Sequence, residues 1–364
     1  MIAFLPSLYP NELFYSLIAR YHVRTGRSDV GTDIDTFYSD RINVPPDFEL
    51  IGKLRDGILP FLLDHLSFVD RNETAAYANA EDRLQYLVFH HTLFSYYARF
   101  MPADRRRDAY DALSQMDTYK MYRRLTIPQR RKERYARYCP LCAAEAREQY
   151  GEAYWDTLHN MFGVNVCPIH GCRLFEANQL RIVPRMKAGL LPAEDIIPNN
   201  EEPILCDNMT EIRLAQYVTE VFQAPMSFTN DTPIGEYLQS RLTPPYITPR
   251  GIIRNMEQLQ RDFLDMYDGI DLDGFGSIIH LTKIFEDKRI IANEICALSM
   301  LIGITPDELS APALPEISRT ESVDRAIRDL RGKGYTYKRI AEELGLPLYT
   351  CKDVGSGRHH QRRE

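Results

Sequence analysis

The sequence predicts a mostly α, multidomain chain with one small irregular module near its middle. Three observations carry that expectation. Apolar residues recur at three- and four-residue spacing in segment after segment, from "NELFYSLIAR" near the start to "YKRIAEELG" near the end. At 364 residues the chain exceeds what one hydrophobic core usually fills. Between residues 139 and 172 the helical pattern lapses and cysteines gather in pairs.

The first helix is expected around Leu13, Phe14, Leu17, Ile18 and Tyr21, which share one face, with Asn11 as its cap after Pro10. A second runs from Glu81 to Arg99 through Leu84, Leu87, Val88, His91, Phe94 and Tyr97, and a basic third covers Arg105 to Met121. After the cysteine stretch, a connector rich in Pro, Asn and acid leads into "EIRLAQYVTEVFQ", "PIGEYLQSRL", "MEQLQRDFLDMYD" and "HLTKIFEDKRIIANEICALSMLIG". A second connector precedes a compact last unit. The expected divisions are residues 1–136, 137–176, 177–310 and 320–364.

Composition narrows the class. At 44% hydrophobic and 26% charged the chain is ordinary globular material, and no segment reaches the roughly 18 apolar residues of a membrane span. The best candidate, Ile290 to Ile304, carries Asn293 and Glu294 and reads as a buried helix. The N-terminus lacks the pattern of a secretory signal, so a cytoplasmic protein without a membrane partner is expected. Seven cysteines in such a compartment point to metal more than to disulfides.

The net charge of −7 conceals two basic blocks. Arg99 to Arg137 holds twelve Lys/Arg against five Asp/Glu, and Arg325 to the end holds ten against five. Between them, Leu190 to Ser240 carries nine acids and a single Arg. The basic blocks are the expected phosphate contacts of a double-stranded DNA partner.

The module's spacing is Cys139-x-x-Cys142, 24 intervening residues, then Cys167-x-x-His170. Two such knuckles supply four tetrahedral ligands, and three thiolates with one imidazole select zinc. With every position filled by protein, none is left for a reactive water, so one structural Zn2+ is expected. Cys172 and His159 remain alternative fourth ligands. Tyr154, Trp155 and Phe162, between the knuckles, read as a miniature core around the metal. Cys206, Cys296 and Cys351 read as core residues.

The last unit has the layout of a helix-turn-helix: Ile340, Ala341 and Leu344 inside a first helix, Gly345 at the turn, then Leu346, Cys351 and Val354. A helix over Val323 to Arg331 completes three. Tyr349, Thr350 and Lys352 then face outward toward base edges. The same layout also describes a three-helix packing unit with no ligand. Neither a phosphate-binding loop nor a nucleophile elbow nor a metalloprotease helix occurs, so no enzymatic activity is expected.

"YCPLC…YGEAYWDTLHNMFGVNVCPIHGCRL", with "PNELFYSLIAR" and "FHHTLFSYYARF" before it, resembles the TniQ/TnsD family of transposon target-selection proteins, its TnsD-like branch in particular. The resemblance implies a helical N-terminal domain, a zinc-ribbon-like module and a C-terminal helical domain with helix-turn-helix. It implies a non-enzymatic role in DNA transposition: binding an attachment site and recruiting a TnsC-type AAA+ ATPase with transposase subunits. Shorter relatives dock instead on an RNA-guided CRISPR effector complex, the alternative reading. The candidate residues are Cys139, Cys142, Cys167 and His170 for metal. For DNA they are Arg105, Arg106, Arg107, Arg123, Arg124, Arg130, Arg131, Lys132, Arg134, Lys338, Tyr349, Thr350, Lys352 and Arg358.

Overall fold

A computed structural model describes residues 2, 4–39, 50–51, 53–69, 79–125, 134–182, 190–251 and 254–356. The chain is mostly helical and divides into two compact units. The first comprises Met1–Asp231 with Ile290–Ala297 and Leu309–Ala311. The second comprises Thr232–Arg289, Leu298–Glu308 and Pro312–Glu364. Among the described residues no helix is long and apolar enough to cross a membrane.

The first unit begins with α1 (Phe14–Thr25), α2 (Val30–Phe37) and α3 (Ile58–His65). Asn11 does not cap α1: it lies before the helix at φ 54, and Leu13 is the boundary residue. Tertiary partners satisfy the first amides instead, Leu13 N–H donating to Trp155 O at 2.8 Å and Phe14 N–H to His91 O at 2.8 Å. The apolar stripe is as expected, with Phe14, Leu17 and Ile18 fully buried.

The expected helix from Glu81 to Arg99 is two, α4 (Ala80–His90) and α5 (Phe94–Ala98). Thr92 explains the break. Its hydroxyl donates to Val88 O at 2.5 Å and accepts from Phe94 N–H at 3.0 Å, competing with the backbone ladder. The basic helix is likewise split into α6 (Ala103–Ser114) and α7 (Thr118–Arg124). Met116 turns the chain at φ 57, and Asp117 caps α7 by accepting from Lys120 N–H at 3.0 Å.

Next come β1 (Arg134–Tyr138), α8 (Pro140–Tyr150), α9 (Thr157–Asn160), β2 (Phe175–Ile182), α10 (Ala193–Ile196) and α11 (Met209–Gln223). β1 and β2 are antiparallel, pairing Tyr138 with Phe175 and Ala136 with Ala177. Just past the end of α11, Arg99 holds the next two carbonyls, donating to Ala224 O and to Pro225 O at 3.1 Å. Burial pushes its guanidinium down to about 10.

In the second unit α12 (Ile234–Arg241), α13 (Met256–Met266) and α14 (Ile278–Phe285) precede α15 (Ala292–Leu301) and α16 (Pro306–Ser310), two helices assigned in part to each unit. The last three helices are α17 (Arg319–Gly332), α18 (Tyr337–Leu344) and α19 (Leu348–Gly355). Ile327, Ile340, Leu346, Cys351 and Val354 form their core, with Val323, Ala341 and Leu344 packed against it. Gly345 ends α18 at φ 61, a left-handed position that a side chain resists. Arg250, paired with Asp324 at 2.9 Å, anchors α17 to the segment after α12.

Candidate functional site

Each knuckle is a turn in which the fourth residue's amide faces the first residue's sulfur. Cys142 N–H donates to Cys139 Sγ at 3.4 Å, and His170 N–H to Cys167 Sγ at 3.4 Å. Cys139 is also the N-cap of α8, with Pro140 at its first position, so a helix N-terminus favours the thiolate. In the second knuckle Gly171 adopts φ 63 and donates to Cys167 O at 2.9 Å, closing the turn.

The four side chains converge. Cys139 Sγ, Cys142 Sγ, Cys167 Sγ and a His170 nitrogen all lie within 4.8 Å of one another. Cys142 Sγ is 3.6 Å from Cys167 Sγ, and His170 Nδ1 is 3.6, 3.2 and 3.7 Å from the sulfurs of Cys139, Cys142 and Cys167. Metal–sulfur bonds of about 2.3 Å in a tetrahedron imply edges of about 3.7 Å. The donor set therefore fits a four-coordinate metal ion.

The cluster's protons are unevenly held: the Cys142 thiol, sharing hydrogen bonds with Cys139 and Cys167, is pushed far up. Hydrogen bonds from Cys142 and Cys167 hold the Cys139 thiol well below its usual range. Burial opposes charge on His170, but Glu145 and Cys167 raise it overall, with Nε2 at 2.9 Å from Glu145 Oε1. A carboxylate on the outer nitrogen fixes which nitrogen faces the ligands. Glu145 escaped the sequence reading, although it lies three residues after Cys142 on the same helical turn.

The alternative ligands take other positions. Cys172 Sγ is 3.3 Å from Cys139 Sγ and packs with Leu141 and Leu174 as the module's own core. His159 Nε2 is 3.8 Å from Cys167 Sγ, outside the four-atom cluster.

Trp155, between the knuckles, belongs to the helical layer and not to the cysteine cluster. Trp155 is fully buried, its indole donates to Leu191 O at 2.8 Å, and its backbone is bonded to Ser16 and Leu13 beside α1. A two-strand module supplies too little surface to bury such a ring, and the helical layer does so instead.

The motifs at the start of the chain close onto the same module. Glu12, fully buried, pairs with Arg20 at 2.7 Å, and Arg20 reaches Glu152 at 2.9 Å while stacking 3.7 Å above the Tyr9 ring. Arg24 also pairs with Glu152. Arg137 acts from β1, donating to the carbonyls of Met161 and Val164 in the loop that leads to Cys167.

Asp156 is the buried cap of α9, accepting from Leu158 N–H at 2.7 Å. Burial pushes its carboxyl up to about 8. Between pH 3.8 and about 8 the folded state therefore keeps a proton that the unfolded state releases, and stability falls as pH rises through that window. Asp156→Asn keeps the cap, so denaturant titrations across pH should show that slope flattened; an unchanged slope would place the proton elsewhere.

The DNA candidates are placed unevenly. Arg130, Arg131, Lys132 and Arg358 lie outside the described residues, and for Arg134 only the backbone, in β1, is described. Arg107, Arg123 and Arg124 are exposed, and Arg105 is half-buried with its Nε donating to Arg124 O at 2.5 Å. Arg106 is a correction: it is buried, and its donors are taken by Arg99 O at 2.7 Å, Met101 O at 3.2 Å and Asn230 O at 2.6 Å.

In the last unit Lys338, Tyr349 and Lys352 are exposed, whereas Thr350, expected outward, is buried one residue before core Cys351. Two exposed groups were missed. Tyr119, 74% exposed with Arg123 over its ring at 5.6 Å, extends the α7 face. Arg339, over Tyr335 at 4.4 Å, extends the α18 face.

The TniQ family model matches residues 3–174, a stretch that includes both knuckles, Glu12, Arg20 and Glu152. A curated relative, the transposon Tn7 transposition protein TnsD of Escherichia coli, is 30% identical over 174 residues. That alignment covers 47% of this chain and 31% of the relative, so the chain spans under a third of that protein's length. Residues 3–174 are therefore similar to the TniQ family, and the match stops short of half of the chain.

Proposed function

We propose that the chain selects insertion targets for a Tn7-type transposon by binding a specific attachment site in double-stranded DNA and recruiting a TnsC-type AAA+ ATPase with its transposase. The TniQ domain carries this reading, through its kinship with a transposition protein. Zn2+ at Cys139, Cys142, Cys167 and His170 is structural: four protein ligands leave no position for a substrate. The role proposed for the chain is non-enzymatic.

Recognition is divided by chemistry. Arg105, Arg107, Arg123 and Arg124 on the α6–α7 face neutralise phosphates, joined by Tyr119 and Lys120, and Arg130, Arg131, Lys132 and Arg134 continue that basic run in sequence. Tyr349 and Lys352 on α19 reach base edges, with Lys338 and Arg358 on the backbone. Arg106 and Thr350, both buried, drop out of the contact set.

Replacing Arg123 and Arg124 with Ala is expected to weaken binding to every duplex and to reduce the salt slope by about 0.9 per lost phosphate contact. Tyr349→Ala with Lys352→Ala is expected to relax sequence preference while leaving non-specific binding in place. Fluorescence-anisotropy titrations over a salt series separate the two effects. If neither pair changes binding, these faces do not read DNA. Stable co-purification with an RNA-guided effector, together with no preference on naked DNA, would favour the adaptor reading.

A further inference from the structure

We propose that the segment from Pro203 to Asp207 is a docking edge for an extended segment of a partner protein in which aliphatic residues alternate with Lys or Arg. One side of the segment is already paired. Leu205 faces Cys172 in an antiparallel bridge, Arg173 N–H donates to Ile204 O at 2.7 Å, and Cys206 N–H donates to Gly171 O at 2.9 Å. The second knuckle thus holds this stretch extended.

Alternation along an extended chain sends the N–H and C=O of Leu205 to the opposite side. Among the described residues they take no protein partner. A fixed edge with free backbone groups is a template for strand addition.

The side chains define what fits. Ile204 is 57% exposed, Leu205 73% and Met209 58%, three large apolar groups within six residues. Cys206 between them is buried, so the edge is anchored and not merely draped over the surface. Glu202 and Asp207 flank the pair and are exposed, and Glu201 is bonded to Tyr138. Arg173, the basic group in the paired strand, is engaged by Glu211 at 2.6 Å, and Arg213 is the exposed cation on the next turn of α11. An apolar strip with an acidic rim is complementary to aliphatic residues alternating with cations. The exposed groups then serve backbone pairing, burial and charge at once.

The test uses the full zinc-loaded chain and a labelled nonapeptide alternating Val and Lys. The expected result is saturable binding that weakens with salt, with amide exchange slowed at Leu205. Leu205→Lys and Ile204→Lys, exposed positions that leave the fold intact, are expected to weaken it by about tenfold or more. Ile279→Lys, at an apolar residue 65% exposed in the second unit, is expected to leave it unchanged. A peptide N-methylated at alternate residues is expected not to bind. Equal binding of a Val/Glu peptide, or insensitivity to Leu205→Lys, overturns the proposal. Concentration-dependent self-association lost in Leu205→Lys also overturns it, by assigning the edge to a second copy.

Discussion

Cys167→Ser protein is expected to emerge from purification with almost no zinc, where the unsubstituted chain carries one equivalent, and to unfold at far lower denaturant concentration. Cys167 touches two of the other three converging side chains, at 3.6 Å from Cys142 Sγ and 3.7 Å from His170 Nδ1, and is fully buried. Its loss leaves a weak hydroxyl ligand among crowded thiols. Structural zinc contributes on the order of 10 kcal/mol to such sites. The strand pair and knuckle turns offer few apolar contacts to replace it, since the module's own core is three cysteines with Leu141 and Leu174 against them. His170→Cys is expected to keep the metal, because a fourth thiolate completes the tetrahedron. Metal analysis of both variants decides the matter: zinc retained in Cys167→Ser would mean that the ligand set is misassigned. Acid should release the ion as well, since the thiolates must be deprotonated to hold it.

Arg20→Ala is expected to be the most damaging substitution away from the metal. The change leaves Glu12 fully buried without its cation, and removing one partner of a buried pair costs about 3–5 kcal/mol. Burial already pushes the Glu12 carboxyl up, so the lone carboxylate would take a proton instead of remaining charged. The same substitution strips Glu152 of a partner and Tyr9 of its stacked cation, loosening the attachment of α1 to the loop after α8. Arg24→Ala, at a half-exposed side chain sharing Glu152, is expected to cost well under half as much. Equal effects of the two in a urea titration would contradict the assignment of Glu12–Arg20 as the buried pair that matters.

The parts of this structure that sequence reasoning reached are those encoded locally. The knuckles are legible because an x-x gap and a following Pro or Gly fix the turn without help from elsewhere. The core of the last three helices is legible for the same reason: Ile340, Leu346, Cys351 and Val354 follow from helical spacing around one glycine. The residues that tie layers together were not legible. Glu12 and Glu152 are 140 positions apart, and no periodicity announces that Arg20 joins them.

Arg106 shows the same limit inside one basic run. In "DRRR" three arginines look alike, yet helical rotation turns the middle one inward onto the carbonyls of Arg99, Met101 and Asn230. Helix breaks were hidden where a side chain outbids the ladder, as Thr92 does between α4 and α5. Trp155 was legible as a core residue but not as one that serves α1 more than the metal.

The most direct test of target selection is to sequence the DNA that the purified zinc-loaded protein retains from a pool of random duplexes at physiological salt. An attachment-site reader enriches one motif, and the enrichment fades in Tyr349→Ala with Lys352→Ala while total retention persists. A flat sequence distribution, with retention tracking only salt, would contradict sequence-specific target selection by this chain.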